Sequence, residues 1–322
     1  MRVLVTGATG FVGKRLCERL LTDGHTPLAL VRGRSDTSGL EALGVRIDRR
    51  GFDDIDALVP LLHEVDAIVH AAGTGKAARA EAFVDANVTP TRALAAAAAR
   101  APVRRFVLIS SLSAQGPSAD GTRPPANISP NPQSAYGESK RDAERIVQSA
   151  LGARATVLRP PPVYGPGDDA FLPLFRAAAR GVVPLHGRGK LTSIVHVDDL
   201  VDAIVRLAAL PETAPVYGVD DGIVHRWEDI AAAIGVAVGQ PRITTVAIPA
   251  AALRSAAALA ESWARLRGTA VFFSRDKVRD VLQPHWVCSA DSLAADTGYA
   301  AKVTLAAGLA ETAAWYRAAG WL

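Results

Sequence analysis

Tyr136 and Lys140 stand four residues apart in Ser134-Ala135-Tyr136-Gly137-Glu138-Ser139-Lys140. Residues at that spacing share one face of an α-helix, so the stretch predicts a helix opening near Ser134 with an ammonium beside a phenol. A free tyrosine titrates near pH ~10, too high for ready proton exchange at neutral pH, and a neighbouring cation favours the phenolate. The pair is therefore a candidate general acid and base. Tyr and Lys at this spacing are also common surface residues, so the surrounding elements must decide. Ahead of them the apolar run Arg105 to Ile109 reads as a strand and ends in Ser110-Ser111-Leu112-Ser113, which offers hydroxyls at the strand end. A loop rich in Gly, Pro and Asn, 116–132, then carries the chain to the tyrosine.

A second constellation opens the chain. Arg2 to Thr6 is an apolar, β-branched run, and Gly7, Gly10 and Gly13 follow at three-residue spacing before the amphipathic Phe11 to Leu21. Strand, tight turn and helix are predicted, with each glycine serving a purpose: one for the turn, one for close backbone approach to a pyrophosphate, one for helix-to-strand packing. The phosphate then lies on the positive end of the helix. Thr26 to Val31 is a second strand. Where an NAD-binding fold places an acid on the ribose, this chain has Arg32-Gly33-Arg34; two cations suit the 2′-phosphate of NADP, and solvated surface arginines are the competing reading. Val65 to Val69 leads into His70-Ala71-Ala72-Gly73, small residues that let backbone lie against a cofactor. His70 is read as a packing or hydrogen-bonding residue rather than a base. An Ala-rich helix is expected over 78–100, with Asn87 its one polar exception.

Composition narrows the function classes. The chain has 322 residues, 49% of them hydrophobic, enough for one large domain and a smaller one. Its net charge of +4 comes from 36 basic and 32 acidic residues without a run of like charges, which gives no reason to expect nucleic acid. The chain opens directly on a strand pattern and has no apolar stretch of membrane-spanning length, so a soluble cytoplasmic protein is expected. Cys17 and Cys288 are the only cysteines, and read as packed thiols rather than a disulfide or metal site. His196-Val197-Asp198-Asp199 reads as a helix start with acids in its first turn, not as a metal site.

Taken together, Thr6-Gly7-Ala8-Thr9-Gly10-Phe11-Val12-Gly13, His70-Ala71-Ala72, the Ser111 loop, Tyr136-x-x-x-Lys140, Arg159-Pro160-Pro161-Pro162-Val163-Tyr164-Gly165-Pro166, His196-Val197-Asp198-Asp199 and the closing Trp315-Tyr316 to Trp321 occur in the order found in the extended short-chain dehydrogenase/reductases. The chain resembles their NAD-dependent epimerase/dehydratase family nearly end to end. The resemblance implies an α/β fold: a Rossmann-type, doubly wound parallel sheet with a smaller, mostly helical C-terminal substrate domain. The boundaries expected are 1–165 with 191–225 for the nucleotide domain and 166–190 with 226–322 for the substrate domain. It implies that Tyr136 exchanges a proton with the substrate oxygen, that Lys140 holds the nicotinamide ribose and lowers the phenol's pKa, and that Ser111 orients the carbonyl or alcohol. Gly7, Thr9, Gly10, Phe11, Val12, Ala71, Ala72, Gly73, Pro160 and Val163 would line the cofactor, with Asp53 on the adenine. Thr74, Ser113, Pro161 and Phe171 would face the substrate. Phe171 and Leu172 could equally pack the small domain, and Val271-Phe272-Phe273 could be pocket wall or core. Members often pair through two helices, here about 79–100 and 135–150, so a homodimer is possible.

Departures from the family pattern bear on the substrate. Leu112 and Ser113 follow Ser111 where dehydratases carry acids, so dehydration is not expected. Pro162 and Thr192 stand where many sugar-nucleotide epimerases carry Asn and Arg for the substrate's phosphates. The expectation is thus an NADP-dependent oxidoreductase, NAD remaining possible, that interconverts a carbonyl and an alcohol on a small, rather apolar molecule. A nucleoside-diphosphate-sugar epimerase with tightly bound NAD is the alternative, and a nucleotide-sensing regulator without chemistry a third, though such relatives usually lose the tyrosine or lysine.

Overall fold

The computed structural model describes residues 1–52, 54–77, 79–267 and 274–322. Two expectations, Asp53 at the adenine and Val271-Phe272-Phe273 as wall or core, lie outside the described residues.

The β-branched runs of the first half form the strands β1 (Arg2–Thr6), β2 (Thr26–Leu30), β3 (Arg46–Asp48), β4 (Ala67–His70), β5 (Arg105–Ile109) and β6 (Ala155–Arg159). Together with Val216–Gly218 they make a seven-stranded sheet in the order Val216–Gly218, β6, β5, β4, β1, β2, β3, parallel throughout. Parallel strands buried on both faces need apolar residues at nearly every position, and β4 and β5 are buried end to end. On one face Leu16, Cys17 and Leu20 of helix Phe11–Thr22 pack with Val197, Leu200, Val201 and Ile204 of helix Val197–Ala209. On the other, helices Ile55–Leu62, Thr89–Ala99 and Ala135–Leu151 pack through Leu58, Leu62, Leu94, Ala98, Ala143 and Val147. The chain reverses direction across the sheet between β1 and β4, and the crevice beyond their carboxyl ends is where such folds bind ligands.

A further core gathers Phe171 and Phe175, Ile230 and Ile234, Leu309 and Tyr316. They come from the turn before and within helix Leu172–Ala179, from helix Trp227–Val238 and from helix Leu305–Ala318. Ala290, Leu293 and Tyr299 join the sheet core instead. Helices Ala250–Arg267 and Arg275–Leu282 pack on each other around Leu253, Ala257 and Val278.

The helix expected over 78–100 is divided. Ala80–Phe83 is α-helical, Val84–Val88 forms a π turn, and Thr89–Ala99 resumes the α-helix with proline in its first turn. The π turn adds a residue to the helical ladder, a device common at functional sites, and Asn87 sits in it, 2% exposed. Pro90 cannot continue an α-helical ladder and belongs in a first turn, so the helix restarts at Thr89, and the hydrogen bonds of Asn87 hold the π turn before it. Cys17 and Cys288 are buried free thiols, and burial raises both.

Candidate active site

The glycine turn after β1 is built where no side chain fits. Gly7 has φ 69°, and a Cβ there would lie 2.7 Å from the Ala71 carbonyl and the Ala72 nitrogen. A Cβ on Gly13 would lie 2.1 Å from the Gly7 oxygen. The turn thereby presses directly on the chain leaving β4. Gly10, which caps helix Phe11–Thr22 and donates to the Gly7 oxygen at 3.0 Å, leaves the cap without a side-chain partner. Thr9 and Gly10 are exposed at the helix's positive end, Val12 packs on the sheet core, and Phe11 lies against Gly167 across a cleft of about 700 Å³. Arg15 and Arg19 of this helix pair with Asp198 and Asp202, and the Asp199 carboxylate accepts from the Lys302 and Val303 nitrogens. The Asp198-Asp199 motif is therefore tied to packing.

Beyond β2, Arg32 and Arg34 are exposed, with no carboxylate partner among the described residues. Arg49 holds their loop, donating to the Gly33 and Ser35 carbonyl oxygens at 3.2 Å and to the Thr37 hydroxyl.

His70 is fully buried between two hydroxyls, Thr6 Oγ1 at 2.7 Å and Thr91 Oγ1 at 2.9 Å. Thr91 donates to the Asn87 carbonyl at 2.6 Å, so it must accept from His70 Nε2–H. Nδ1 is then an acceptor for Thr6, whose oxygen accepts in turn from the Ala72 nitrogen at 3.1 Å. The chain of hydrogens runs one way only with a neutral ring, and burial, aided by the Lys140 charge, pushes this histidine down to about 3. His70 is a connector, as expected, but its partners are side-chain hydroxyls rather than backbone.

Asn87 continues the network toward the strand-end loop. Its Oδ1 accepts from the Thr74 nitrogen at 2.7 Å, and its Nδ2 donates to the Thr74 oxygen and to Ser139. A Cβ on Gly73 would meet Asn87 Oδ1 at 2.7 Å and Lys140 Nζ at 3.7 Å. Ala71, Ala72, Gly73 and Thr74 thus form one wall beside the lysine.

Ser134 caps helix Ala135–Leu151, accepting from the Gly137 nitrogen at 3.1 Å, and the helix carries Tyr136 and Lys140 on the face turned to β5. Lys140 Nζ is buried and donates to the Ile109 carbonyl at 2.7 Å; burial lowers it to about 8, with Glu144 opposing. The half-buried Tyr136 ring lies 4.0 Å from the Cβ direction of Gly75 and packs at 5.7 Å on Phe83. Burial pushes the phenol up and the charge of Asp280 adds to that push, while the neighbouring Ser111 hydroxyl opposes it; the net shift is upward. The lowering by Lys140 that the resemblance implies is not among the causes of this net upward shift. Ser111 Oγ accepts from the Ser113 nitrogen at 3.1 Å, and the Leu112 nitrogen ties the loop to the Pro160 oxygen at 2.8 Å.

Two residues remote in sequence complete this wall. Asp276 and Asp280 lie one turn apart on helix Arg275–Leu282. Asp276 accepts from the Ala135 and Tyr136 nitrogens at 2.7 and 3.3 Å, capping the tyrosine's own helix. Asp280 Oδ2 accepts from Ser113 and Ser134 at 3.1 and 3.0 Å, while its buried Oδ1 has no partner among the described residues. Burial raises this carboxyl, against the pull of Lys277 and the two serines. Neither acid was legible as a site residue, since nothing in Ser274-Arg275-Asp276-Lys277 marks it as facing a tyrosine 140 residues earlier.

The remaining predicted residues divide. Pro160 and Pro161 are buried and Val163 half-buried along the segment leaving β6, which pairs with Val195–His196. Ser113 reaches Asp280 rather than open space. Phe171 is 5% exposed, set 5.9 Å from Tyr164 and 6.3 Å from Trp227, so of its two readings packing describes it. Thr192 is fully buried and donates to the Ser193 oxygen. Lys76 pairs with Asp169.

Comparison with known proteins agrees with this geometry. Residues 3–219 match the model of the NAD dependent epimerase/dehydratase family. A ceramide reductase of Caulobacter vibrioides is 34% identical over 99% of this chain and 96% of its own. A 2-alkyl-3-oxoalkanoate reductase of Stenotrophomonas maltophilia is 29% identical over 96% and 97%. Among solved structures, MoeE5 in complex with UDP-glucuronic acid and NAD superposes with a TM-score of 0.77 at 26% identity, covering 99% of this chain and 100% of its own. With its glycine turn at the switch point of a parallel sheet and its family match running through the seventh strand, the chain belongs to the NAD dependent epimerase/dehydratase family of oxidoreductases and isomerases.

Proposed function

We propose that the chain is an NADP-dependent reductase of ketones carried on apolar, alkyl-chain substrates. The observation that carries the reading is Tyr136 one helical turn before the buried Lys140, whose ammonium is anchored on the Ile109 carbonyl at the carboxyl end of β5, next to the Ser111 loop. The dinucleotide fits the site, because the glycine turn, packed backbone on backbone at Gly7 and Gly13, leaves Thr9 and Gly10 exposed at the positive end of helix Phe11–Thr22, where a pyrophosphate would lie. Gly7, Thr9, Gly10, Phe11 and Val12 would lie along its pyrophosphate and Arg32 and Arg34 at the 2′-phosphate. Ala71, Ala72 and Gly73 would follow its ribose, with Pro160 and Val163 toward the nicotinamide. Bound there, the cofactor exchanges a hydride with the substrate carbon. Ser111, whose oxygen is already fixed by the Ser113 nitrogen, keeps its hydrogen for the substrate oxygen. Tyr136, held protonated by its surroundings, gives that oxygen a proton, and Lys140 lies close enough to the ribose wall to hold it. Thr74 and Pro161 would border the substrate.

The relatives named as reductases of a ceramide and of an alkylated oxoalkanoate support an alkyl-chain substrate. The bound sugar nucleotide in MoeE5 favours the second reading, an epimerase. Against it stand Pro162 and the inward-bonded Thr192, which offer no cation to a pyrophosphate. The division into a nucleotide unit and a substrate unit of 166–190 with 226–322, the homodimer through 79–100 and 135–150, and a cytoplasmic location belong to the same proposal.

Oxidation of NADPH in the presence of long-chain β-keto acids and β-amido ketones is the expected result. Interconversion of UDP-glucose without net change in cofactor absorbance, and no oxidation across the ketones, would transfer the assignment to the epimerase. A monomer mass in light scattering removes the dimer.

A further inference from the structure

Helix Ala250–Arg267 carries Leu259 at 72% exposure and Trp263 at 58%, one turn apart, with Ala252 and Ala256 exposed on the same stripe. Arg267 lies over the Trp263 ring at 4.4 Å. Beside this ridge, between helices Ala250–Arg267 and Arg275–Leu282, runs a groove of about 620 Å³. Arg254, Arg275 and Arg279 border it, over Ala258, Val278 and Leu282. The two faces of Arg275–Leu282 are sorted by charge. Asp276 and Asp280 are spent on the tyrosine's helix, which leaves Arg275 and Arg279 to the groove. Glu261 is the carboxylate on this side and pairs with Arg275 at 3.7 Å; Arg254 and Arg279 have no carboxylate partner among the described residues.

We propose that this face, the Leu259–Trp263 ridge with the Arg254–Arg275–Arg279 groove, docks on the surface of an anionic phospholipid bilayer. Apolar side chains on one stripe of a helix, flanked by arginines, enter the boundary between headgroups and acyl chains, and indole rings favour that depth. The arginines meet the phosphates, and long cationic side chains keep their heads at that level while their stems lie on apolar surface. No helix among the described residues is long and apolar enough to cross a membrane, so the attachment is peripheral and reversible. Gln133 lines the same groove, three residues before Tyr136. The docked face therefore lies beside the segment that leads into the tyrosine's helix. The docking stands independently of the reductase reading, because lipid binding needs no turnover.

Flotation of the whole protein with vesicles of seven parts phosphatidylcholine to three of phosphatidylglycerol tests it, without substrate or cofactor. The expected result is binding that is lost on pure phosphatidylcholine and in high salt. Each arginine near an anionic surface changes partitioning by about fivefold, so Arg254→Gln with Arg279→Gln should lower it about 25-fold. Leu259→Ser with Trp263→Ser should lower it at least as much, and all four side chains are exposed, so thermal melting of both variants should match the parent. Failure to float with anionic vesicles overturns the proposal, as does equal binding to pure phosphatidylcholine. Calorimetric binding of inorganic phosphate that Arg254→Gln abolishes, with no vesicle binding, makes the groove a small-anion site instead. A dimer mass that collapses in Leu259→Ser with Trp263→Ser, again without vesicle binding, makes the face a contact between copies.

Discussion

The two walls of the candidate site are built by different means. The wall below the glycine turn is made of backbone: Gly7 rests on Ala71 and Ala72, Gly13 on Gly7, and a neutral chain of hydrogen bonds through Thr6, His70 and Thr91 fixes their spacing. The wall on the tyrosine's side, from helix Arg275–Leu282, is made of charged side chains, with Asp276 and Asp280 gripping the tyrosine's helix. A backbone wall tolerates almost no change of shape but is indifferent to pH. A wall of carboxylates can be re-cut by mutation, and it titrates.

Tyr136 stands where the walls meet, and its removal has the largest expected effect on turnover. Tyr136→Phe should lower kcat by roughly 10²- to 10⁴-fold, the range for a general acid, while NADPH affinity and Tm stay near the parent's. A variant that loses cofactor affinity in parallel would show the phenol to be part of the backbone wall rather than of the chemistry.

The backbone wall is tested at Gly13. Gly13→Ala places a Cβ 2.1 Å from the Gly7 oxygen and 2.7 Å from the Ala8 Cα, both main-chain atoms that cannot swing aside. Overpacking of this kind costs about 1 to 3 kcal/mol of stability, so Tm should fall by several degrees, and NADPH affinity in calorimetry should fall with it as the turn is pushed out of place. At Gly10 the same Cβ stands 3.2 Å from the Gly7 oxygen, and Gly10→Ala should be milder. Equal losses at both positions would mean the turn is more yielding than the comparison holds.

Arg32→Ala reads the cofactor's ribose end. Loss of a charge-assisted hydrogen bond is worth about 1.5 to 3 kcal/mol, so NADPH affinity should drop tenfold or more while NADH affinity hardly moves. If both fall alike, Arg32 serves the loop that Arg49 holds and not the phosphate.

How much of this was legible in the sequence follows the same division. The backbone wall is written in short, local patterns: three glycines at fixed spacing, apolar strands, small residues after His70. Such patterns act within a few residues, and β1, β2, β5 and the Tyr136–Lys140 helix lie where they place them, with β4 shifted by two residues or fewer. Pro90 marks a break that the expectation of one helix over 78–100 passed over, whereas the π turn itself was not legible, because Asn87 bonds Thr74 and Ser139, 13 and 52 residues away. Phe171 could be read either way until its contacts with Tyr164 and Trp227 were known. Asp276 and Asp280 were invisible for the same reason on a larger scale: only the folded chain brings helix Arg275–Leu282 onto the start of the tyrosine's helix.

The smallest effect expected is also the one that best separates the walls, and it lies at Asp280. Its carboxyl is raised by burial, so the folded chain holds this proton to a higher pH than the unfolded chain does. Stability from this group is therefore greatest below the ordinary carboxylate range and declines as pH rises toward its folded pKa. Asp280→Asn removes the titration, so the variant's Tm should decline less than the parent's across that window. The absolute Tm is a poorer guide, since the amide nitrogen can take the place of an oxygen that has no partner. The same substitution removes a charge that helps keep Tyr136 protonated, and the alkaline limb of the kcat profile should move to lower pH. A flattened Tm profile with an unmoved alkaline limb would make Asp280 a structural cap alone; both changes together would show that the side-chain wall sets the proton state of the residue standing between the two.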